Sequence, residues 1–507
     1  MQITQSLRQT AQLTPDHIVT IYGDRRRTAA QTLDRVSRLA GAFVALGAQT
    51  GDRIGILSLN SDRYHEFLLA APWAGCAVNP VNIRWSPAEI AYSLADCGTD
   101  ILLVDETFAP MINTLKELAP NLATVIFTGD GEAPEGMLDY EALIAGSDPI
   151  ADAERGGDDL YGIFYTGGTT GDPKGVMLSH RACLTSAMGA LVTTDILTRG
   201  ATLLHAAPMF HLADLAAWHV GCLTRSTHVI VPMFTPSGVI EAIERHRVVG
   251  ALLVPTMIQM LVDSPEAADA DLSSLIHIIY GASPIAESLL ERTFALLPEV
   301  RLTQAYGMTE LAPIATLLTA DDHLDPALRR SCGRPAVHSD LRIVGADGQE
   351  LGRGEVGEII VRGDHLMSGY WNKPDATADA VRDGWMHTGD AGHMDANGYV
   401  FLADRLKDMI ITGGENVYSV EVENAIAKHP GVAQTAVIGV PDAQWGERVH
   451  AVVVRAPGAQ VTEDELREFC REHIANYKLP RSVAFIEELP VSGAGKILKR
   501  NLRDMTW

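Results

Sequence analysis

The sequence is short of positive charge: 40 lysines and arginines stand against 64 aspartates and glutamates in 507 residues, a formal net charge of −24. Binding along a phosphate backbone needs clustered cations, so no nucleic-acid partner is expected, although a local basic pocket stays open. Cysteine is scarce too. The six thiols, Cys76, Cys97, Cys183, Cys222, Cys332 and Cys470, lie far apart without metal-ligand spacing. That excludes a disulfide framework and predicts reduced core thiols in a reducing cytoplasm. Long runs free of polar groups are missing as well. The most apolar long stretch, ATLLHAAPMFHLADLAAWHVGCL (201–223), carries His205, His211, Asp214 and His219, which are costly in lipid, so it reads as buried soluble structure and no membrane span is expected. The opening MQITQSLRQTAQLTPDHIV lacks the charged-then-apolar profile of a signal peptide, and no export is expected.

What is present is apolar material for a large interior: 47% hydrophobic residues with a mean hydropathy of +0.07. A chain of 507 residues exceeds one core, so two or more domains are predicted. Over the first four hundred residues short β-rich runs alternate with helical periods, as in DRIGILSL, DRYHEFLLAAPWAGC, ILLVD, HVIVPMF, SGVIEAIERHR and GALLVP. This alternation predicts an α/β fold with mostly parallel sheets covered by helices. Past residue 340 the texture changes to glycine-punctuated strands, LRIVGADGQEL, GEVGEIIVRG and GHMDANGYVFLADR, whose DG and NG pairs signal turns and a β-rich subdomain. After Arg405 the β/α alternation resumes, which predicts a small mobile α+β domain over 405–507 behind a large multi-subdomain N-terminal domain over 1–404.

The stretch YTGGTTGDPKG (165–175) follows the apolar LYGIF. A Walker loop places lysine directly after glycine with a hydroxyl next to it; here Asp172 and Pro173 intervene before Lys174, and Gly175 follows, so that match fails. Its glycines nevertheless allow close backbone approach, and Thr166, Thr169, Thr170 and Lys174 offer donors to phosphate oxygens. Composition alone leaves a phosphate grip and a surface loop equally open.

Further segments follow in order: QAYGMTE (304–310), GEIIVRG (357–363), GYWNKPDAT (369–377), WMHTGD (385–390), DRLKDMIITGGENVYSVEVE (404–423) and PVSGAGKILKR (490–500). With YTGGTTGDPKG, this series resembles the adenylate-forming superfamily of acyl-CoA synthetases, peptide-synthetase adenylation domains and beetle luciferases. The resemblance spans essentially the whole chain, which is similar to fatty-acyl-CoA and coumarate or feruloyl-CoA ligases, although Ile411 and Asn416 depart from the plant coumarate pattern. It implies an AMP-forming acid:thiol ligase: a carboxylate attacks the α-phosphate of ATP, giving acyl-adenylate and pyrophosphate, and CoA then displaces AMP. The first step joins two anions, so cations and magnesium are needed where charge develops.

The resemblance also assigns roles. Thr166, Gly167, Gly168, Thr169, Thr170 and Lys174 would close on the β- and γ-phosphates. Glu310 would hold magnesium, Thr309 would meet the α-phosphate and Tyr306 would stack on adenine. Asp390 would accept from the ribose hydroxyls, with Arg405 near ribose and phosphate, and Gly281, Ala282 and Ser283 would complete the nucleotide-binding set. Lys496, in a Gly/Ser loop, matches the catalytic C-terminal lysine of adenylation; Lys499, Arg500 and Arg503 read as a solvated basic helix end. Lys407 matches the hinge about which the small domain turns, and Gly413 and Gly414 would border the pantetheine arm. Trp445, Tyr477 and Arg481 sit where related ligases meet the CoA nucleotide. Taken singly, Asp390 would be a turn residue, Glu310 a solvated carboxylate at a helix start, and Tyr306 a core aromatic.

For the acid, the resemblance points to the walls around MFHLADLAAW, YGASP (280–284) and QAYGMTELAP. Small residues there leave room for a planar ring or an extended chain, and no lysine or arginine awaits a second carboxylate. The acid is therefore expected to be apolar, either hydroxycinnamate- or ferulate-like or a medium-chain fatty acid, placing the enzyme in aromatic or fatty acid metabolism. His211 is assigned to the carboxylate end of that pocket, and Asp214 to the cap of the following helix. The expected partners are the carboxylic acid, ATP and CoA, with a homodimer left open. Two alternatives remain: a peptide-synthetase-type enzyme loading a carrier protein, and a nucleotide-responsive binding protein.

Overall fold

A computed structural model describes residues 1–166, 173–283, 285–405, 408–412, 415–442, 444–491 and 497–507, with backbone alone at 404, 405, 415 and 416. The chain forms two compact units, Met1–Asp340 with Val361–Met386, and Leu341–Ile360 with His387–Trp507. No helix among the described residues is long and apolar enough to cross a membrane.

Two sheets organise the first unit. The nine-stranded one is ordered Arg334–Pro335, Ile314–Leu318, Arg301–Gly307, His277–Gly281, Gly250–Leu252, Thr202–His205, Thr227–Ile230, Ile18–Tyr22 and Arg25–Thr28. Its six central strands, from Arg301–Gly307 to Ile18–Tyr22, are parallel to their neighbours, and antiparallel pairs close both edges. The eight-stranded sheet is ordered Gly369–Tyr370, Lys174–Ser179, Leu160–Thr166, Ala77–Pro80, Arg53–Leu57, Ile101–Val104, Thr124–Phe127 and Leu138–Asp139. Its central strands read as unbroken apolar runs because both faces are covered: every residue of Ile101–Val104 is buried. The helix Asp62–Trp73 is buried on all sides, and Ser61 caps it by accepting from the Tyr64 amide. The predicted α/β class with mostly parallel sheets is the observed one.

In the second unit, residues 390–394 pair antiparallel with Val400–Arg405. The DANG turn between them forms as its sequence predicts: Asp395 Oδ1 accepts the Asn397 and Tyr399 amides, and Gly398 takes φ +87°. A further sheet joins Glu415–Val417, Ile410–Thr412, Gly446–Arg455 and Val432–Asp442, with Ser482–Phe485 added parallel to Gly446–Arg455. The helices Ser419–Ile426 and Glu463–Arg471 help form its core through Val422, Ile426 and Leu466. Capping of Glu463–Arg471 is reciprocal between Thr462 and Glu465.

The terminal helix Lys499–Arg503 corrects one expectation. Leu502 is fully buried in the unit's second apolar cluster, which draws the helix inward. Lys499 Nζ lies 2.8 Å from Glu423 Oε1 and donates to Ser419 Oγ, while Arg503 pairs with Asp408 at 2.7 Å. Lys499 is thus held in place and largely covered, whereas Arg503 is paired yet remains exposed to solvent. The cysteines behave as predicted: all six are free, and five are buried.

Candidate active site

Thr166 ends one strand and Lys174 begins the next, and the two residues face each other in antiparallel register. Thr166 Oγ1 lies 3.5 Å from the Lys174 carbonyl. The pairing therefore places both ends of the glycine-threonine segment at the same end of two adjacent strands of the eight-stranded sheet. Gly167, Gly168, Thr169 and Thr170 lie outside the described residues, as do Lys407, Gly413, Gly414 and Lys496.

Glu310 sits in the single 3₁₀ turn Thr309–Leu311 that follows the strand Arg301–Gly307. It is not a solvated carboxylate: it is 7% exposed, and Tyr370 Oη donates to its Oε1 at 2.8 Å. A buried carboxylate needs such a hydrogen-bond partner. Tyr370 lies on the short strand Gly369–Tyr370, paired with Val176 and Met177 just beyond Lys174. Lys174 Nζ in turn stands 4.9 Å from the Tyr370 ring centroid, within range of a cation–π contact. Tyr370 thus brings a cation and a carboxylate of the predicted set to one place. GYWNKPDAT gave no role to Tyr370; its only signal was an aromatic hydroxyl in a two-residue strand, which no periodicity reveals.

Magnesium binds through one or two carboxylates together with phosphate and water rather than in an all-protein cage. Among the described residues no group of three or more His, Cys, Asp or Glu forms a metal cage, and Glu310 offers one enclosed carboxylate. That donor set fits magnesium delivered with a polyphosphate.

Tyr306 is 9% exposed and faces Thr316 across the antiparallel edge; its neighbour Ala305 registers with Gly281. Gly281 is small for a backbone reason, since a Cβ there would lie 2.3 Å from the Ala305 carbonyl oxygen; at Gly307 it would lie 1.8 Å from that of Pro313. These two glycines answer to strand contacts first, whatever room they leave for an acid. Ala282 takes φ +67°, a left-handed conformation that costs an alanine about 1–2 kcal/mol, and Ser283 follows, partly buried.

The MFHLADLAAW segment differs from its expected arrangement at one residue. His211, not Asp214, is the N-cap of Leu212–Thr224, its Nδ1 accepting the Ala213 amide at 3.2 Å. Asp214 is fully buried, and its Oδ2 lies 2.8 Å from His205 Nδ1. His205 Nε2 continues to His228 Nδ1 at 2.8 Å. Asp214 is therefore held by a buried histidine chain, which takes precedence over capping because a buried carboxylate without a partner costs far more than a missing cap.

In the second unit, the amides of the TG turn before Asp390 are served by other groups: Gly389 N–H donates to Glu358 Oε1 at 3.1 Å and Asp390 N–H to Thr388 Oγ1 at 3.1 Å. Asp390 registers with Arg405, which is described by its backbone alone. Elsewhere in this unit the Arg481 guanidinium lies 4.1 Å from the Trp445 ring, and the turn bearing Trp445 is set by Asp442, whose Oδ1 accepts the Gln444 and Trp445 amides. Tyr477 is 41% exposed, and the next residue, Lys478, is tied to Glu421 at 2.6 Å.

The family model described as AMP-binding enzyme matches residues 7–371, and that described as AMP-binding enzyme C-terminal domain matches 421–496. The chain belongs to the AMP-binding enzyme family. Within it, the chain is similar to a feruloyl-CoA synthase of Amycolatopsis sp, 40% identical over 494 residues, covering 97% of this chain and 96% of the relative. It is also similar to the fatty acid–[acyl-carrier-protein] ligase ScoC of Streptomyces coeruleorubidus, 36% identical over 460 residues, covering 90% and 87%. Among solved structures, ATP-bound MatB from Rhodopseudomonas palustris matches with a TM-score of 0.90 at 31% identity, covering 99% of each chain. The superfamily that the motif series resembles is thus the one to which the chain belongs, and the AMP-binding fold accounts for the mixed α/β sheets.

Proposed function

We propose that this protein is an ATP-dependent acyl-CoA ligase. A carboxylate oxygen of the acid attacks the α-phosphorus of ATP and pyrophosphate leaves with the cleaved bond's electrons; the CoA thiol, losing its proton, then attacks the acyl carbon and AMP leaves. The observation that carries this reading is the pairing of Lys174 and Glu310 with one tyrosine beside a glycine-threonine loop: a cation for phosphate and an enclosed carboxylate for the accompanying metal. Magnesium, when held by Glu310, would neutralise phosphate charge. Thr166 and Lys174 bind the outer phosphates, Thr309 the α-phosphate, and Tyr306 the adenine. Gly281, Ala282 and Ser283 complete that wall, and His211 borders the acid's carboxylate. Asp390 and Arg405 serve the ribose, Lys496 the developing charge of adenylation, and Trp445, Tyr477 and Arg481 the CoA nucleotide. The functional boundary is put at 404/405, with Lys407 as hinge and Gly413 and Gly414 beside the pantetheine arm. The protein is read as cytoplasmic.

An apolar acid is favoured, and a ferulate-like one leads because of the feruloyl-CoA synthase among the relatives. A second reading, transfer of the acyl group to a carrier protein, is favoured by the acyl-carrier-protein ligase among them. Incubation with ATP, magnesium and a panel of aromatic and fatty acids, with CoA or with a phosphopantetheinylated carrier protein, separates the two by mass analysis. Acyl-CoA supports the first; acylated carrier protein with no acyl-CoA supports the second; neither product, with ATP bound, removes both.

A further inference from the structure

Lys174 and Glu310 approach the same tyrosine yet form no ion pair with each other. Opposite charges at such a site ordinarily collapse into a pair, which would satisfy both and leave neither for a phosphate or its metal. The side chain of Tyr370 engages both of them. Its hydroxyl donates to Glu310 Oε1 at 2.8 Å, and its ring takes the Lys174 ammonium at 4.9 Å.

The backbone of Tyr370 is fixed as firmly as its side chain. Its N–H donates to Thr377 Oγ1 at 2.8 Å. The Trp371 amide donates to the Gly175 carbonyl at 2.8 Å, and the Met367 amide to the Glu310 carbonyl, also at 2.8 Å. The segment 367–371 is therefore stitched both to the strand that carries Lys174 and to the turn that carries Glu310. Filling this space would need only a phenylalanine; the hydroxyl adds a hydrogen bond to the carboxylate.

We propose that Tyr370 is a positioning residue for adenylation, its hydroxyl aiming the Glu310 carboxylate at the metal and its ring keeping the Lys174 ammonium apart from that carboxylate and available to phosphate. This rests on the reading of the site as an ATP site.

The test uses the full chain. In acid-dependent ATP–pyrophosphate exchange, Tyr370→Phe raises the magnesium concentration for half-maximal rate about tenfold, the size of one lost hydrogen bond to a charged group, and leaves the KM for the acid unchanged. Manganese bound in the presence of ATP, followed by electron paramagnetic resonance, weakens by the same factor. Tyr370→Leu, which removes the ring as well, raises the KM for ATP in addition. Placed on a Glu310→Gln background, Tyr370→Phe causes no further weakening of manganese binding, because its effect passes through that carboxylate. An undiminished effect on that background, or unchanged metal titration and manganese binding in Tyr370→Phe, overturns the proposal. If the unaltered protein exchanges pyrophosphate with no acid, the ligase reading fails, while manganese binding still decides the role of Tyr370.

Discussion

His205 Nε2 and His228 Nδ1 share a 2.8 Å hydrogen bond between adjacent parallel strands, and the other nitrogen of His205 meets Asp214 at 2.8 Å. His205 and Asp214 have no exposed side-chain surface. The chain thus locks the start of Leu212–Thr224, where His211 sits, to the nine-stranded sheet.

Cutting this chain at its acidic end should be costly. Asp214→Ala leaves His205 Nδ1 without its partner in a fully buried site, and the expected loss of stability is on the order of 3 kcal/mol. Urea unfolding of the variant and the unaltered protein measures it; a loss below about 1 kcal/mol, within the range of an ordinary hydrogen bond, would show that the bond carries little.

Acid should destabilise the protein before its carboxylates titrate. Burial depresses His65, His219 and His365 to about 3 and His180 to about 4, against an ordinary value of 6.5. The folded protein keeps these rings neutral while the unfolded chain protonates them. Their contribution is complete above pH 6.5 and is lost as pH falls through the window down to about 3–4, at up to about 1.4 kcal/mol per pH unit for each ring. Burial raises Glu66 and Asp105, which acts in the opposite sense as pH falls toward their ordinary values of 4.5 and 3.8. The four rings outnumber these two carboxyls and set the expected direction. The urea midpoint should fall between pH 6.5 and 5, and less steeply in His365→Gln; a flat profile would contradict the buried neutral rings.

Lys496→Ala should abolish adenylation and spare thioester formation. The residue is assigned by resemblance to the step in which anionic charge develops, and stabilisation at that point typically contributes 10²–10³ in rate. Pyrophosphate release, compared with CoA-dependent AMP release from supplied acyl-adenylate, distinguishes the steps. Equal losses in both would mean a shared structural role.

Arg481→Ala and Trp445→Ala should each raise the KM for CoA about fivefold, consistent with loss of a contact worth about 1 kcal/mol, with ATP–pyrophosphate exchange unchanged. Because the guanidinium and the indole are already stacked, the double variant should lose less than the sum of the two. A loss in exchange, or strict additivity, would put these residues in another role.

The sequence by itself determined the architecture and the family. Runs such as ILLV and helical periods such as DRYHEFLLAAPW are dictated by burial on both faces and all round, and the ordered motifs are local signatures that survive without coordinates. Thr166 and Lys174 offered phosphate donors by their chemistry, but their roles and that of Glu310 came from the resemblance carried by the ordered motifs. Tertiary structure alone decided what joins them. Tyr370 lies 60 residues from Glu310 in the chain, and only the pairing of Gly369–Tyr370 with the strand of Lys174 puts its hydroxyl on that carboxylate. It also decided that Asp214 answers to His205 instead of its helix, that Lys499 is held by Glu423, and that Gly281 is small because a neighbouring carbonyl leaves no room for a Cβ. Each of these depends on which atoms meet across a fold, and hydrogen-bond partners distant in sequence leave no periodicity or composition from which to read them.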